Sequence, residues 1–101
     1  MKNANRTCIA TPPGETLKEQ VEDRGITQKE LARRTGLSEK HVSHLVNGDA
    51  MLTASTALLL EAALGIPAGF WLRLEATYRE KLARIELEKS PLPVFSELAN
   101  A

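Results

Sequence analysis

Two helix N-caps and an intervening glycine, all within Thr27–Gly48, leave that stretch room for only two short helices joined by a tight turn. Thr27 with Glu30 three residues on forms a capping box, which opens the first helix. Leu31 and Ala32 give it an apolar face, and Gly36 supplies the left-handed residue on which helices commonly stop. Leu37 plugs the turn and Ser38 caps the second helix. Val42, Leu45 and Val46 then fall on one helical stripe and point inward. Glu39, Lys40, His41, Ser43, His44 and Asn47 are left facing out. On an isolated short helix such a row is ordinary solvated surface. Here the turn length, both caps, the glycine and the apolar positions agree on a helix-turn-helix.

The flanking sequence reads as three more helices. Residues 1–12 are expected to be a flexible arm, ended by Pro12-Pro13-Gly14. A helix from Glu15 to about Arg24 follows, with proline and acids at its start as the helix dipole prefers. Leu17 and Val21 are its apolar pair, Gly25 closes it, and Ile26 precedes the Thr27 cap as a hydrophobic staple. Gly48–Met51 reads as a loop. Thr53 caps a fourth helix to about Leu64, with Ala57, Leu58, either Leu60 or Glu61, and Leu64 inward, and Gly65 ends it. Pro67 starts a fifth helix, the longest, from about Ala68 to Glu88. Trp71, Leu74, Tyr78, Leu82 and Ile85 form its apolar stripe, while Glu75 and Arg79 are placed among its charged outer faces. That stripe is longer than a small globule could cover, so its far end should meet another chain. Ser90-Pro91-Leu92-Pro93 breaks the helix before a tail at 90–101. The expected organisation is therefore arm 1–12, helical domain 13–89 and tail 90–101, with no strands.

At 101 residues, 43% hydrophobic and 26% charged, the chain can bury a core as one domain without metals or disulfides. Its one cysteine, Cys8, reads as incidental or as a lone redox-sensitive thiol, and the missing disulfide framework fits a cytoplasmic protein. The first ten residues are mostly polar, so no signal peptide is expected. The apolar run 56–69 is too short for a membrane span. Thirteen basic residues balance thirteen acidic ones, unlike the strongly basic composition of many nucleic-acid-binding domains. Within Thr27–Gly48, however, Lys29, Arg33, Arg34 and Lys40 outnumber Glu30 and Glu39. So small a footprint would hold DNA weakly in a monomer, because backbone affinity grows with the phosphates neutralised. Dimerisation would double it.

In a helix-turn-helix the second helix enters the major groove. Base reading is therefore expected from Ser38, Glu39, Lys40 and His41, and one turn later from Ser43 and His44. Lys40 can donate to guanine, Glu39 can accept from cytosine, and serine suits several bases. A histidine offers a donor and an acceptor, or two donors when protonated. His41 and His44 have no cysteine or third ligand near them in sequence, so no metal or other cofactor is expected. Catalysis by Glu39, His41 and Ser43 is disfavoured, since a short exposed helix excludes no water.

These residues also carry a family resemblance. The chain resembles the HigA-type antitoxins, within the lambda-repressor-like (Xre) helix-turn-helix group, over about Pro13 to Ile85. Pro13-Gly14-Glu15, Thr27-Gln28, Glu30-Leu31-Ala32, Gly36-Leu37-Ser38 and Asn47-Gly48 match the DNA-binding core of that group. Ala63-Leu64-Gly65, Phe70-Trp71-Leu72 and Tyr78 look specifically HigA-like. The resemblance implies an all-α, five-helix lambda-repressor-like domain with a long C-terminal helix. It implies that Gln28, with Thr27 beside it, contacts a phosphate, and that Asn47, just past the recognition helix, anchors a second phosphate or caps the helix with Gly48. Leu59 stands where the family often has a charge. It is a candidate partner contact together with Leu82 and Ile85, with a lone exposed leucine as the alternative.

The function so implied is that of a type II antitoxin. It binds and silences a HigB-type, RelE-like messenger-RNA-cleaving toxin, and as a homodimer it binds a palindromic operator to repress its own operon. The two recognition helices would lie about 34 Å apart, one turn of DNA. The alternatives are an orphan phage- or plasmid-type repressor without a toxin, and a protein-interaction module whose working surface is the long helix.

Overall fold

The computed structural model describes residues 10–89, and the expectations for residues 1–9 (Cys8 among them) and for the tail at 90–101 lie outside it. Five α-helices follow in chain order: α1 (Pro13–Asp23), α2 (Gln28–Thr35), α3 (Glu39–Asn47), α4 (Ala54–Leu64) and α5 (Ala68–Lys89). The fold is all-α, as the punctuation of the sequence implied.

Local chemistry sets most boundaries. The Thr27, Ser38 and Thr53 hydroxyls each accept the backbone N–H three residues on, at 3.0, 3.0 and 3.3 Å. They thereby satisfy helix-start donors that would otherwise lack partners. Gly36, Gly48 and Gly65 close α2, α3 and α4 at φ near +80°. A side chain would be strained in that conformation. α1 starts two residues earlier than expected, because extended Pro12 leads directly into Pro13, whose fixed φ suits the first helical position.

The interior holds Leu17 and Val21 of α1, Leu31 and Ala32 of α2, Val42, Leu45 and Val46 of α3, Leu52, Ala57, Leu60 and Leu64 around α4, and Trp71 of α5. α1 packs on α3 and α5, α2 on α3 and α4, and α4 on α5. The α1–α3 approach depends on Gly14: a Cβ there would lie 2.1 Å from the Leu45 carbonyl oxygen and 2.3 Å from that of Val46. Thr11 and Pro12 lie against the same body, with the Pro12 ring 3.1 Å from where a Cβ on Gly48 would stand.

Two expectations about facing are corrected and one open choice is resolved. Leu58 is 59% exposed rather than inward; the buried stripe of α4 is Thr56, Ala57, Leu60 and Leu64. Helix α4 is apolar on most sides, so periodicity could not choose its phase. Glu61, the alternative to Leu60, lies outside, and its carboxylate accepts the Ala68 N–H at 2.7 Å, capping α5 from the preceding helix. Glu75 belongs to the buried side of α5, one turn after Trp71, where its carboxylate accepts from Arg79 Nε at 2.6 Å. Arg79 in turn covers the Tyr78 ring, 4.9 Å from its centroid. Along the expected stripe only Trp71 is fully buried, and Leu74, Tyr78, Leu82 and Ile85 are half-buried; beyond it, Leu87 is 43% exposed.

Candidate nucleic-acid interface

α2 and α3 meet through a turn that is fixed from inside. Thr35, buried at the end of α2, donates its hydroxyl to the Leu31 carbonyl at 2.9 Å and accepts the Leu37 N–H at 3.2 Å. Gly36 donates its N–H to Ala32 O at 2.8 Å. Leu37 then packs against the core, and Ser38 begins α3 with its hydroxyl on the His41 N–H. Sequence reasoning missed Thr35. A threonine directly before a helix-stop glycine is the signal that could have found it.

On α3, Val42, Leu45 and Val46 are buried, while Glu39, Lys40 and Asn47 are exposed and His41, Ser43 and His44 half-buried. Thr27 and Gln28 are exposed at the start of α2. A concavity of about 520 Å³ brings Thr27, Ser38 and Glu39 together with Lys29 and Arg33. Ser38 also borders a second depression, of about 350 Å³, with Lys40, His41, His44, Asp49 and Ala50. The two depressions share Ser38, so polar side chains of α2 and α3 lie on either side of it. Gln28, Ser43 and Asn47 line neither. Asn47 is the last residue of α3 rather than a position beyond it, and Gly48, at φ +82°, is the C-cap.

Electrostatics on this face differ from a simple count of cations. The Thr27–Glu30 box is one-sided: Thr27 accepts the Glu30 N–H, but the Glu30 carboxylate turns to Arg33 and Arg34. Hydrogen bonds from the Arg33 and then the Arg34 guanidinium push the Glu30 carboxyl down to about 2 and hold it ionised. Two of the four cations of the motif are thus already paired, leaving Lys29 and Lys40 outside these ion pairs. On α3, His44 Nδ1 lies 3.7 Å from Asp49 Oδ2.

The partner residues expected elsewhere are scattered. Leu59 on α4 is 37% exposed beside Leu58, whereas Leu82 and Ile85 lie half-buried on the distal half of α5. Among the described residues no three His, Cys, Asp or Glu side chains are grouped to hold a metal ion. No described helix is long and apolar enough to cross a membrane.

The helix-turn-helix family model matches residues 17–71, from the middle of α1 into α5. The chain is 48% identical over 76 residues to antitoxin HigA-1 of Vibrio cholerae, covering 74% of this chain and 70% of that protein. The chain belongs to the HigA-type, Xre-like helix-turn-helix family. Its architecture is shared by PA4674 of Pseudomonas aeruginosa, solved in complex with its operator DNA. That match has a TM-score of 0.75 and 26% identity, and covers 80% of this chain and 90% of the other. The Pseudomonas aeruginosa antitoxin HigA, solved with the higBA promoter, matches with a TM-score of 0.71 and 28% identity over 83% of this chain and 99% of that one. Family membership puts the chain among helix-turn-helix antitoxins and repressors.

Proposed function

We propose that this protein is the antitoxin and autorepressor of a type II toxin–antitoxin pair. A homodimer binds a palindromic operator through α3, and each chain also covers a HigB-type, RelE-like ribonuclease. The observation that carries the DNA half is the division of α3: its apolar side is buried under α1 and α2, while Ser38, Glu39, Lys40, His41 and His44 line the open depressions and Ser43 is half-buried on the same helix. Base contacts fall to these side chains, with Lys40 suited to guanine O6 and N7. Gln28 and Thr27 at the start of α2 and Asn47 at the end of α3 anchor phosphates, which set register without reading sequence. The relatives solved with operator or promoter DNA support this use of the fold. The toxin half rests on the similarity to HigA-1. Residues 13–89 form the functional domain, residues 1–12 and 90–101 its flanking arm and tail, and the cytoplasm its place of work.

Footprinting on the promoter shared with the neighbouring gene, together with co-purification of that gene's product, tests both halves. Lys40→Ala should cost about 1–3 kcal/mol of operator binding and relax the preference at one base pair. Gln28→Ala should weaken binding to all duplexes alike. A sequence-selective loss in the Gln28 variant, or unchanged affinity in the Lys40 variant, overturns the assignment. Protection of the promoter without a co-purifying toxin leaves a repressor and removes the antitoxin.

A further inference from the structure

We infer that residues 90–101 fold back along their own α5 and seat Phe95 and Leu98 in an apolar groove between α1 and α5, with Glu97 on Arg73. The groove has a volume of about 350 Å³. Thr11 and Thr16 line it from the α1 side, and Phe70, Leu74 and Tyr78 from α5, with Arg73 and Lys81 beside them. Phe70 is 38% exposed. Apolar surface left to water in a concave place marks a binding surface. A second hollow, of about 310 Å³, shares Thr77 and Lys81 with the groove and extends past Arg84 to Glu88. Glu88 is one residue short of Lys89, where α5 ends. The two hollows thus mark a path from the groove to the place where residues 90–101 begin.

Charge selects this occupant over the other end of the chain. No carboxylate is among the described residues that line the groove, and neither Arg73 nor Lys81 has an ion-pair partner among the described residues. Residues 90–101 hold one acid, Glu97, and no Lys or Arg, whereas residues 1–9 hold Lys2 and Arg6 and no acid. Reach agrees. At about 1.5 Å per helical residue, Lys81, Tyr78 and Arg73 lie roughly 12, 16 and 24 Å back from Lys89 along α5. Pro91 and Pro93 favour an extended path over more helix. With Ser90 and Pro91 making the reversal, about 3.1 Å per residue returns Phe95 by roughly 12 Å, Glu97 by roughly 19 Å and Leu98 by roughly 22 Å. Phe95 then meets the Lys81–Tyr78 end of the groove, Leu98 the level of Leu74, and Glu97 comes within side-chain reach of Arg73. A tethered segment is present at about millimolar effective concentration, so even weak contacts keep the groove occupied. The tail is therefore a resident competitor for any partner segment of the same chemistry, apolar with a carboxylate two residues from an aromatic ring.

The test uses the full chain, 15N-labelled, carrying Cys8→Ser and a nitroxide on Ser96→Cys, between Phe95 and Glu97. Amide signals of Phe70, Leu74, Thr77 and Tyr78 should broaden most. Glu97→Lys should abolish that broadening, and adding Arg73→Glu should restore it. Arg73 is exposed, so its replacement leaves the core intact. A synthetic peptide of residues 90–101 should bind a Phe95→Ala chain at least about fivefold more tightly than the wild type, whose own tail holds the groove. No broadening at the groove overturns the docking. So does broadening found only when nitroxide and 15N are on different chains, which would give the groove to a second copy. Broadening from a nitroxide on Cys8 of the wild type, with none from position 96, overturns it in favour of residues 1–9. Broadening that survives Glu97→Lys, or that Arg73→Glu fails to restore, overturns the Glu97–Arg73 pairing. Equal peptide binding by wild type and Phe95→Ala overturns the competitor role.

Discussion

Glu30 stands in the first turn of α2 with two guanidinium groups on its carboxylate, at 3.0 Å from Arg33 Nε and 2.9 Å from Arg34 Nε. Exposed pairs of this kind contribute little to stability. Their larger consequence is for charge: they occupy two of the four cations on the face assigned to DNA. Glu30→Gln removes the charge that holds both arginines while keeping the backbone N–H that Thr27 caps. General duplex affinity should rise, and the slope of log affinity against log salt should steepen by about 0.9 for each phosphate gained. A salt titration from 50 to about 200 mM checks this, and an unchanged slope places both arginines away from the DNA. The same release should follow acidification. Because the folded carboxyl is pushed down from 4.5 to about 2, the pairs are intact above 4.5 and are lost as the pH falls toward 2.

At the scale of elements, α1 and α3 cross with Gly14 between them, and two opposing terms decide what alanine would do there. Alanine in place of a helical glycine gains up to about 1 kcal/mol of propensity. Against that, a Cβ 2.1 Å from one backbone carbonyl oxygen and 2.3 Å from the next cannot be accommodated by rotating a side chain. Overpacking of this kind costs about 3 kcal/mol or more, so Gly14→Ala should destabilise by at least about 2 kcal/mol, read as a lower urea midpoint at unchanged slope. A neutral substitution would mean that the helices can part at little cost. The same residue shows what the sequence could reveal. Gly14 was legible as punctuation at a helix start, but its contact with Leu45 and Val46 spans most of α1–α3 and leaves no local mark. Caps at Thr27, Ser38 and Thr53 and stops at Gly36, Gly48 and Gly65 were legible because each acts within four residues. The inward residues of α3 followed from periodicity. The phase of α4 did not, since Leu58, Leu59 and Leu60 are chemically equivalent and only packing against α2 and α5 selects Leu60. Glu75 read as surface because a charge on an amphipathic helix usually is; its burial depends on Arg79 one turn on. Of the candidate interface, the polar face was visible residue by residue, whereas the Glu30 pairing and the Asp49–His44 approach needed side-chain geometry.

For the molecule as a whole, zero net charge sets the terms of DNA binding. With Arg33 and Arg34 paired, one chain offers too few cations for tight binding at moderate salt. Two chains held together bind the second half-site at the effective concentration set by the first, which multiplies affinity without a new contact. We propose the distal half of α5 as the surface that holds them. Trp71 and Glu75 are its only buried residues, while Leu82 and Ile85 remain half-buried and Leu87 exposed. Ile85→Asp should therefore give a monomer by sedimentation velocity, with helical circular dichroism unchanged because the core toward Trp71 is untouched. Operator affinity should fall about a hundredfold or more, while binding to an isolated half-site stays as in the wild type. Leu59→Asp on α4 is the contrasting variant: dissociation there, with Ile85→Asp still dimeric, would move the contact to the neighbouring exposed leucines. A wild-type chain that sediments as a monomer at high concentration, yet protects a full palindrome, would remove α5 as a pairing surface and require the DNA itself to bring the two copies together.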